Sequence, residues 1–388
     1  MSEPSHQSVA ETTRTGVVVI GRNEGERFRR CVASLKASSS AAVVYVDSGS
    51  SDGSQQFARE AGVTVVDLDL STPFTAARAR NAGLARLLEI APHLEFVQFV
   101  DGDCEVHANW LAAGTGALRA EEKLAAVSGR LRERFPEKSL YNRLADIEWD
   151  RPIGLEKSCG GNAMFRVSAV QQVGGYDATL IAGEEPELCA RLRANGWLIR
   201  RIADEMALHD LAMFSQRQWL TRAKRHGFAM LEVSRFRTTA SRGLFNQQMR
   251  SAVIWGAIIP GVMWAFALTY ALSITLSSVL SAVWGTSSRN YRAYAGDQFL
   301  GVLETLFRIV LALAIPATLL ALLTIVQWLR LAARARREKL LSWGEALMYS
   351  RLLLASKWAN VRGMGQMLWR RWQKGPTKLI DYKTQAAQ

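Results

Sequence analysis

From Thr15 to about Arg235 the chain alternates short apolar runs with longer stretches whose apolar positions recur every three or four residues. Val17-Val-Val-Ile20 is a continuous apolar run, the mark of a strand covered on both faces. Arg27 to Ala37 follows, with Phe28, Cys31, Val32 and Leu35 on one helical face. Ala42-Val-Val-Tyr-Val46 predicts a second strand, 55–61 a helix, 63–66 a strand and 76–90 a further helix. Glu95-Phe-Val-Gln-Phe-Val100 predicts a buried central strand, apolar, aromatic and β-branched with only Gln98 interrupting. Strands joined by helices imply an α/β domain with a mostly parallel sheet, whose ligands gather at the strands' carboxyl ends.

Polar clusters stand where that rule places them. The first strand runs into Gly21-Arg-Asn-Glu24, the second into Asp47-Ser-Gly-Ser-Ser-Asp52-Gly53, and the central strand into Asp101-Gly102-Asp103. An isolated Asp-Gly-Asp is an ordinary acidic turn. Here a turn at Gly102 is expected to bring both carboxylates to one point. Two hard oxygen ligands there suit Mg²⁺ or Mn²⁺ carrying phosphate oxygens.

A different pattern begins near residue 236. No charge occurs between Arg250 and Arg289, or from Ile309 to Leu329. Roughly 20 apolar residues cross a bilayer core, so two transmembrane helices are expected, at about 252–275 and 309–329. Pro260-Gly261 would kink the first. A helical hairpin buried in a soluble protein is the alternative. Arg235, Arg237, Arg242 and Arg250 precede the pair and Arg330, Arg334, Arg336 and Arg337 follow it, against Arg289, Arg292 and Arg308 between. By the positive-inside rule the N-terminal domain and the tail are cytoplasmic, in a multi-pass protein of a bacterial inner membrane.

Charge sharpens the division. Of the net +13 over 388 residues, +10 falls from Arg330 onward, thirteen Lys/Arg against Glu338, Glu345 and Asp381. Between Ser342 and Trp372 the basic residues mix with Trp343, Trp358, Trp369 and Trp372, so 331–388 is expected to be an amphipathic basic tail on anionic lipid headgroups. Nucleic acid, the other partner such charge suggests, is set aside because two membrane spans precede the tail. Cys31, Cys104, Cys159 and Cys189 have neither zinc nor redox spacing and read as reduced cytosolic thiols. Met1 to Arg14 lacks an apolar core, so it is expected to be a disordered tail rather than a signal peptide.

Taken in order, Val-Val-Val-Ile-Gly-Arg-Asn-Glu, Val-Asp-Ser-Gly-Ser-Ser-Asp-Gly-Ser, Ala79-Arg-Asn-Ala-Gly83 and Asp-Gly-Asp resemble the signature of glycosyltransferase family 2, enzymes of the GT-A fold. Gly160-Gly-Asn-Ala-Met-Phe-Arg166, Gly174-Gly-Tyr-Asp177, Gly183-Glu-Glu-Pro-Glu-Leu188 and Asn195-Gly-Trp197 continue it, and the resemblance covers about 15–235. Leu379-Ile-Asp-Tyr-Lys383 is similar to the tail of membrane-bound members from polysaccharide gene clusters. The resemblance implies an inverting transferase that uses a nucleotide diphosphate sugar with Mg²⁺ or Mn²⁺.

It also implies roles. Glu24 and Asp47 would lie at the nucleoside, and Arg80 would reach the base or phosphates. Ser48 stands where many members have a second acid, which leaves the base open, with uridine the default. Asp101 and Asp103 would hold the metal on the diphosphate. Inverting transfer needs a carboxylate to take the acceptor hydroxyl's proton, and that role falls on Glu185, with Glu184 orienting the acceptor. Glu187 reads as a helix-start acid. His209 is either a third metal ligand, a diphosphate contact or a structural histidine. Arg222 and Arg225 would share a helix face with Trp219 beside the leaving diphosphate, or lie on the membrane surface.

The reading is therefore a GT-A domain over 15–235, a membrane region over 236–330 and a tail over 331–388. The expected acceptor is a lipid-linked, polyprenyl-diphosphate glycan of cell-surface polysaccharide synthesis. A processive synthase is the enzymatic alternative, with a homo-oligomer supplying more helices. Against it, the Gln-x-x-Arg-Trp signature is broken, since Ser215 and Gln218 occupy the Gln and Arg positions ahead of Trp219. A non-catalytic membrane scaffold that keeps the fold is the alternative of another class.

Overall fold

The first apolar run becomes β1 (Thr15–Gly21) in the computed structural model, which describes residues 14–38, 41–286, 289–339 and 341–373. Then come α1 (Glu26–Ser38), β2 (Val43–Asp47), α2 (Ser54–Glu60), β3 (Thr64–Asp67), α3 (Ala76–Ile90) and β4 (Phe96–Asp101). Each lies within two residues of the expected element. The remainder of the domain is β5 (Cys104–Val106), α4 (Trp110–Ala120), β6 (Leu124–Glu133), α5 (Leu140–Trp149), β7 (Gly154–Leu155), β8 (Ala163–Arg166), α6 (Val167–Gln172), α7 (Glu184–Ala194), β9 (Leu198–His209) and α8 (Gln216–Phe236).

The strands form one sheet in the order β3-β2-β1-β4-β8-β6-β9-β5, with β7 added on β9. β1, β2, β3, β4, β6 and β9 run one way, and β5, β7 and β8 the other. Strand alternation divides the core in two. Val18, Ile20, Val44 and Val46 pack with Leu84 and Leu87 of α3, while Val17, Val19 and Tyr45 pack with Phe28, Cys31 and Leu35 of α1. Chain order reverses between β1 and β4, β1 lying between β2 and β4. Such a switch point leaves a crevice at the strands' carboxyl ends.

Contacts divide the chain into two units, the described residues up to Met249 with those from Arg362 on, and Arg250–Val361. In the first, the end of α12 (Trp343–Gln373) packs on α8, Met367 meeting Phe228 and Ile181. A Cβ at Gly363 would stand 2.0 Å from the Lys224 carbonyl oxygen, so only glycine allows that approach. Arg371 lies 4.1 Å over the Phe236 ring. The last part of the stretch read as an interfacial tail is thus a helix seated on the α/β domain, with Trp369 and Trp372 exposed.

The second unit comprises the second half of α9 (Asn246–Val253), a π-helical turn (Ile254–Ile258), α10 (Ile259–Thr286), α11 (Arg289–Lys339) and the first part of α12. Asn246–Leu276 and Phe307–Lys339 are long and apolar enough to cross a bilayer. The connecting segment is helical from Arg289, so α11 runs unbroken through 51 residues, about 77 Å at helical rise. The expected disordered start, Arg14 apart, and Leu379–Lys383 lie outside the described residues.

Candidate active site

The tip of β4 rests on the end of β1, the Gly102 N–H donating to the Ile20 carbonyl at 2.8 Å. A Cβ on Gly102 would come within 3.2 Å of that oxygen, a tight contact that glycine avoids. The Asp101 N–H donates to the Asn162 side-chain oxygen at 3.0 Å. Beyond this anchor the two carboxylates take different partners. Arg80 claims Asp101, and His209 claims Asp103.

The Asp101 side is built on Ala79-Arg-Asn-Ala-Gly83 in α3. A Cβ at Gly83 would be 2.3 Å from Val18, so glycine lets α3 close on the sheet. Asn81 donates to the Tyr176 carbonyl at 2.8 Å and accepts the Tyr176 N–H at 2.9 Å, locking the 174–177 turn to the helix. Between them Arg80, its side chain only 3% exposed, meets Asp101 at 3.0 Å, Glu184 at 3.1 Å and Glu185 at 2.9 Å. A Cβ at Gly161 would fall 2.4 Å from the Arg80 guanidinium and 3.2 Å from Glu185, so this corner needs bare backbone.

Glu184 and Glu185 open α7, behind Gly183 in the left-handed region at φ 82°. Their side chains are 6% and 14% exposed, so Glu185 is the more accessible. Burial, then the neighbouring Glu184 carboxylate, push the Glu185 carboxyl up to about 7, with Arg80 pulling the other way. A carboxylate with that balance can take and give a proton near neutrality.

On the other side the antiparallel pairing of β5 with β9 sets Cys104 opposite His209. His209 Nε2 then lies 3.0 Å from the buried Asp103 carboxylate, and the Asp210 N–H donates to the Asp103 carbonyl. The imidazole stacks on Trp149 at 4.9 Å and 19°. Asp103, Cys104 and His209 bring potential ligand atoms within 4.8 Å of one another, a group that does not include Asp101. The Cys104 thiol is wholly buried, 3.7 Å from Asp103, and accepts from Asn162, so it is packed inward. Carboxylate oxygens and one imidazole nitrogen, with Asp101 and His209 lining one cleft of about 560 Å³, fit a Mg²⁺ or Mn²⁺ ion.

The remaining expected residues are spread around this centre. The Asp47 carboxylate is buried and accepts from Tyr45, Gly49, Ser50 and Gln55 at 2.7–2.8 Å, organising its own loop. Burial opposes its ionisation, but those hydrogen bonds outweigh burial and hold its carboxyl below the usual range. Asp52 accepts the Gly25 N–H at 2.8 Å, joining the β1 and β2 loops, and Glu24 pairs with Arg27 at 2.8 Å. Arg222 lines the cleft and pairs with Glu148 at 3.1 Å, whereas Arg225 donates to the Ile181 carbonyl ahead of α7. Ser215 and Gln218, the positions that break the processive signature, form a reciprocal cap at the start of α8. Glu187 is buried and paired with Arg191 at 2.7 Å.

Trp149 and Asn162 are the contributors that sequence reasoning passed over. Asn162 sat inside the Gly160–Arg166 motif without a role. Trp149 carried no sequence signal, because its partner lies sixty residues on.

Residues 16–174 match the family model described as Glycosyl transferase family 2, and 147–329 match that of Glycosyl transferase family group 2. A pre-mycofactocin glycosyltransferase of Mycobacterium tuberculosis is 29% identical over 241 residues, which is 58% of this chain and 47% of that protein. The chain thus spans about half the length of that curated relative. Glycosyltransferase AglE of Haloferax volcanii is 22% identical over 212 residues, 52% of this chain and 68% of that protein. Among solved structures, the mannosyltransferase PcManGT from Pyrobaculum calidifontis, in complex with GDP-Man and Mn²⁺, has a TM-score of 0.53 at 17% identity, covering 92% of this chain and 88% of its own. That likeness bears on the fold.

Proposed function

The chain belongs to glycosyltransferase family 2, and from that premise we propose that it moves a sugar, with inversion, from a nucleoside diphosphate to a hydroxyl of a lipid-linked glycan. The observation that carries this reading is the Glu185 carboxylate at the start of α7, held by the same guanidinium that holds Asp101. The acceptor hydroxyl gives its proton to Glu185 as its oxygen bonds to the anomeric carbon and the bond to the diphosphate breaks. Glu184 keeps the proton balance of Glu185 poised, and Arg80 aims both carboxylates. Asp101, Asp103 and His209 are the residues that would hold Mg²⁺ or Mn²⁺, which when bound neutralises charge on the leaving diphosphate.

Uridine is the expected base, by family resemblance. The GDP-Man held by the structural neighbour makes guanosine the other base to test. The two long apolar helices support a membrane enzyme of the bacterial inner membrane with its α/β domain cytoplasmic, and a polyprenyl-diphosphate acceptor of cell-surface polysaccharide synthesis suits that address. Purified full-length protein is incubated with a panel of UDP- and GDP-sugars, with Mg²⁺ or Mn²⁺, and a polyprenyl-diphosphate acceptor. Release of nucleoside diphosphate with one sugar added per acceptor is the expected result. A ladder of long products would favour the processive synthase, and no turnover of any donor the scaffold.

A further inference from the structure

Beneath the Glu185 corner lies a pair of side chains that the transfer chemistry does not use. Cys159 and Cys189, 30 positions apart, have their sulfurs 3.6 Å from one another, and both are buried. Cys159 lies between β7 and β8, one residue before the Gly160-Gly161 backbone, and lines the active-site cleft. Cys189 lies in α7 one turn beyond Glu185, at the i+4 position of the same helix face. Cys159 is therefore the thiol nearer a small oxidant in the cleft, and the Cys189 sulfur already stands 3.6 Å from it.

We propose that Cys159 and Cys189 are a peroxide-sensitive thiol pair whose disulfide restrains the Gly160-Gly161 loop against α7 and slows sugar transfer. In the first step the Cys159 sulfur attacks hydrogen peroxide, the O–O bond breaks, and a sulfenic acid and one water result. In the second the Cys189 sulfur attacks that sulfenic sulfur, expelling a second water and forming the S–S bond. Two thiols and one peroxide become one disulfide and two waters. The sulfurs close from 3.6 Å to about 2.05 Å. That movement acts on a loop with no slack, since Gly161 already stands where a Cβ would be 2.4 Å from the Arg80 guanidinium. Contact with Cys189, then burial, hold the Cys159 thiol well above its usual range, so the reaction is slow and quickens as pH rises.

The inhibitory part rests on the reading of Glu185 as the base; the cross-link does not. Reduced full-length enzyme is exposed to graded hydrogen peroxide, then mapped by non-reducing peptide mass spectrometry and assayed for transfer. A Cys159–Cys189 linked peptide, two hydrogens lighter than its parts, is expected to grow in step with a roughly tenfold to hundredfold fall in rate, the scale of a misplaced catalytic group. Dithiothreitol is expected to restore both. Cys189→Ala should transfer like wild type when reduced and form no link, whereas Cys31→Ala should respond like wild type. Sulfur over-oxidation without the link overturns the proposal, as does linked wild-type enzyme that transfers at full rate. Since both are read on wild type, a variant that misfolds leaves the test intact. If the link forms but Glu185→Gln proves fully active, the fault lies with the base assignment instead.

Discussion

Asp101 and Asp103 leave one strand tip and meet opposite company. Asp101 joins Glu184 and Glu185 around Arg80, so three carboxylates share one buried positive charge. Asp103 meets an imidazole that lies flat on Trp149. Crowded carboxylates out of water cannot all ionise freely, and the strain in protonation falls on Glu185. On the other side a carboxylate oxygen and an aromatic nitrogen stand 3.0 Å apart, donors that suit a cation. One glycine turn thus sends Asp101, proposed both to join the Glu185 cluster and to hold the cation, and Asp103 to different partners.

The comparison breaks most visibly on the cation side. Asp103→Ala is expected to abolish transfer and weaken donor binding in Mn²⁺ with the fold intact, and chelation of wild type should do the same. Near-normal turnover of the variant together with indifference to chelator would remove the metal site. On the proton side, Glu185→Gln keeps shape and hydrogen bonding but cannot accept a proton. It should lose roughly 10²–10⁴ in rate while holding its donor dissociation constant, Glu185→Asp should fall between, and Glu184→Gln should lose less. An inactive Glu184→Gln beside an active Glu185→Gln would move the base by one position.

Arg80→Lys tests whether the two sides are separable. Lysine keeps the charge but not the fork that spans three carboxylates, so the rate should fall about tenfold to a hundredfold, with a smaller loss of Mn²⁺ affinity through Asp101. An equal loss of Mn²⁺ affinity would mean that the sides act as one. The proton side also has a pH signature. Below its raised pKa Glu185 holds a proton and cannot act as a base, so activity should rise with pH through about 7 and level off above it. One unit below that midpoint the rate should be about a tenth of its plateau, and a flat profile from pH 5.5 to 8 would contradict the assignment. The smallest effect belongs to Trp149. Trp149→Ala should raise the Mn²⁺ requirement about tenfold by freeing the His209 ring, and Trp149→Phe should restore most of it. Equal Mn²⁺ titrations for both variants and wild type would leave the stack without a role.

Much of this was written locally. Continuous β-branched runs and helical periodicity predicted the first seven elements, because burial on two faces or on one stripe leaves its pattern in adjacent residues. Acids at strand ends pointed to the candidate site for the same reason, since a parallel sheet presents its carboxyl ends together. The reciprocal cap at Ser215 and Gln218 was a local matter too, and it accounts for residues that otherwise look like a damaged signature.

What adjacency could not decide was which partner each site residue takes. Arg80 was expected to reach the base or phosphates, and α3 sets it against Asp101, Glu184 and Glu185, where burial makes ion pairing the way to keep its charge. Asp47 was expected at the nucleoside, and its carboxylate also accepts from the N–H groups of its own loop. His209 was one of several bare possibilities until the β5–β9 ladder set it opposite Cys104, 106 positions from Asp103. The chain alone determined the strands, the helices and the place where polar groups collect. Pairing across the sheet and the avoidance of unpaired buried charge decided which of those groups face one another.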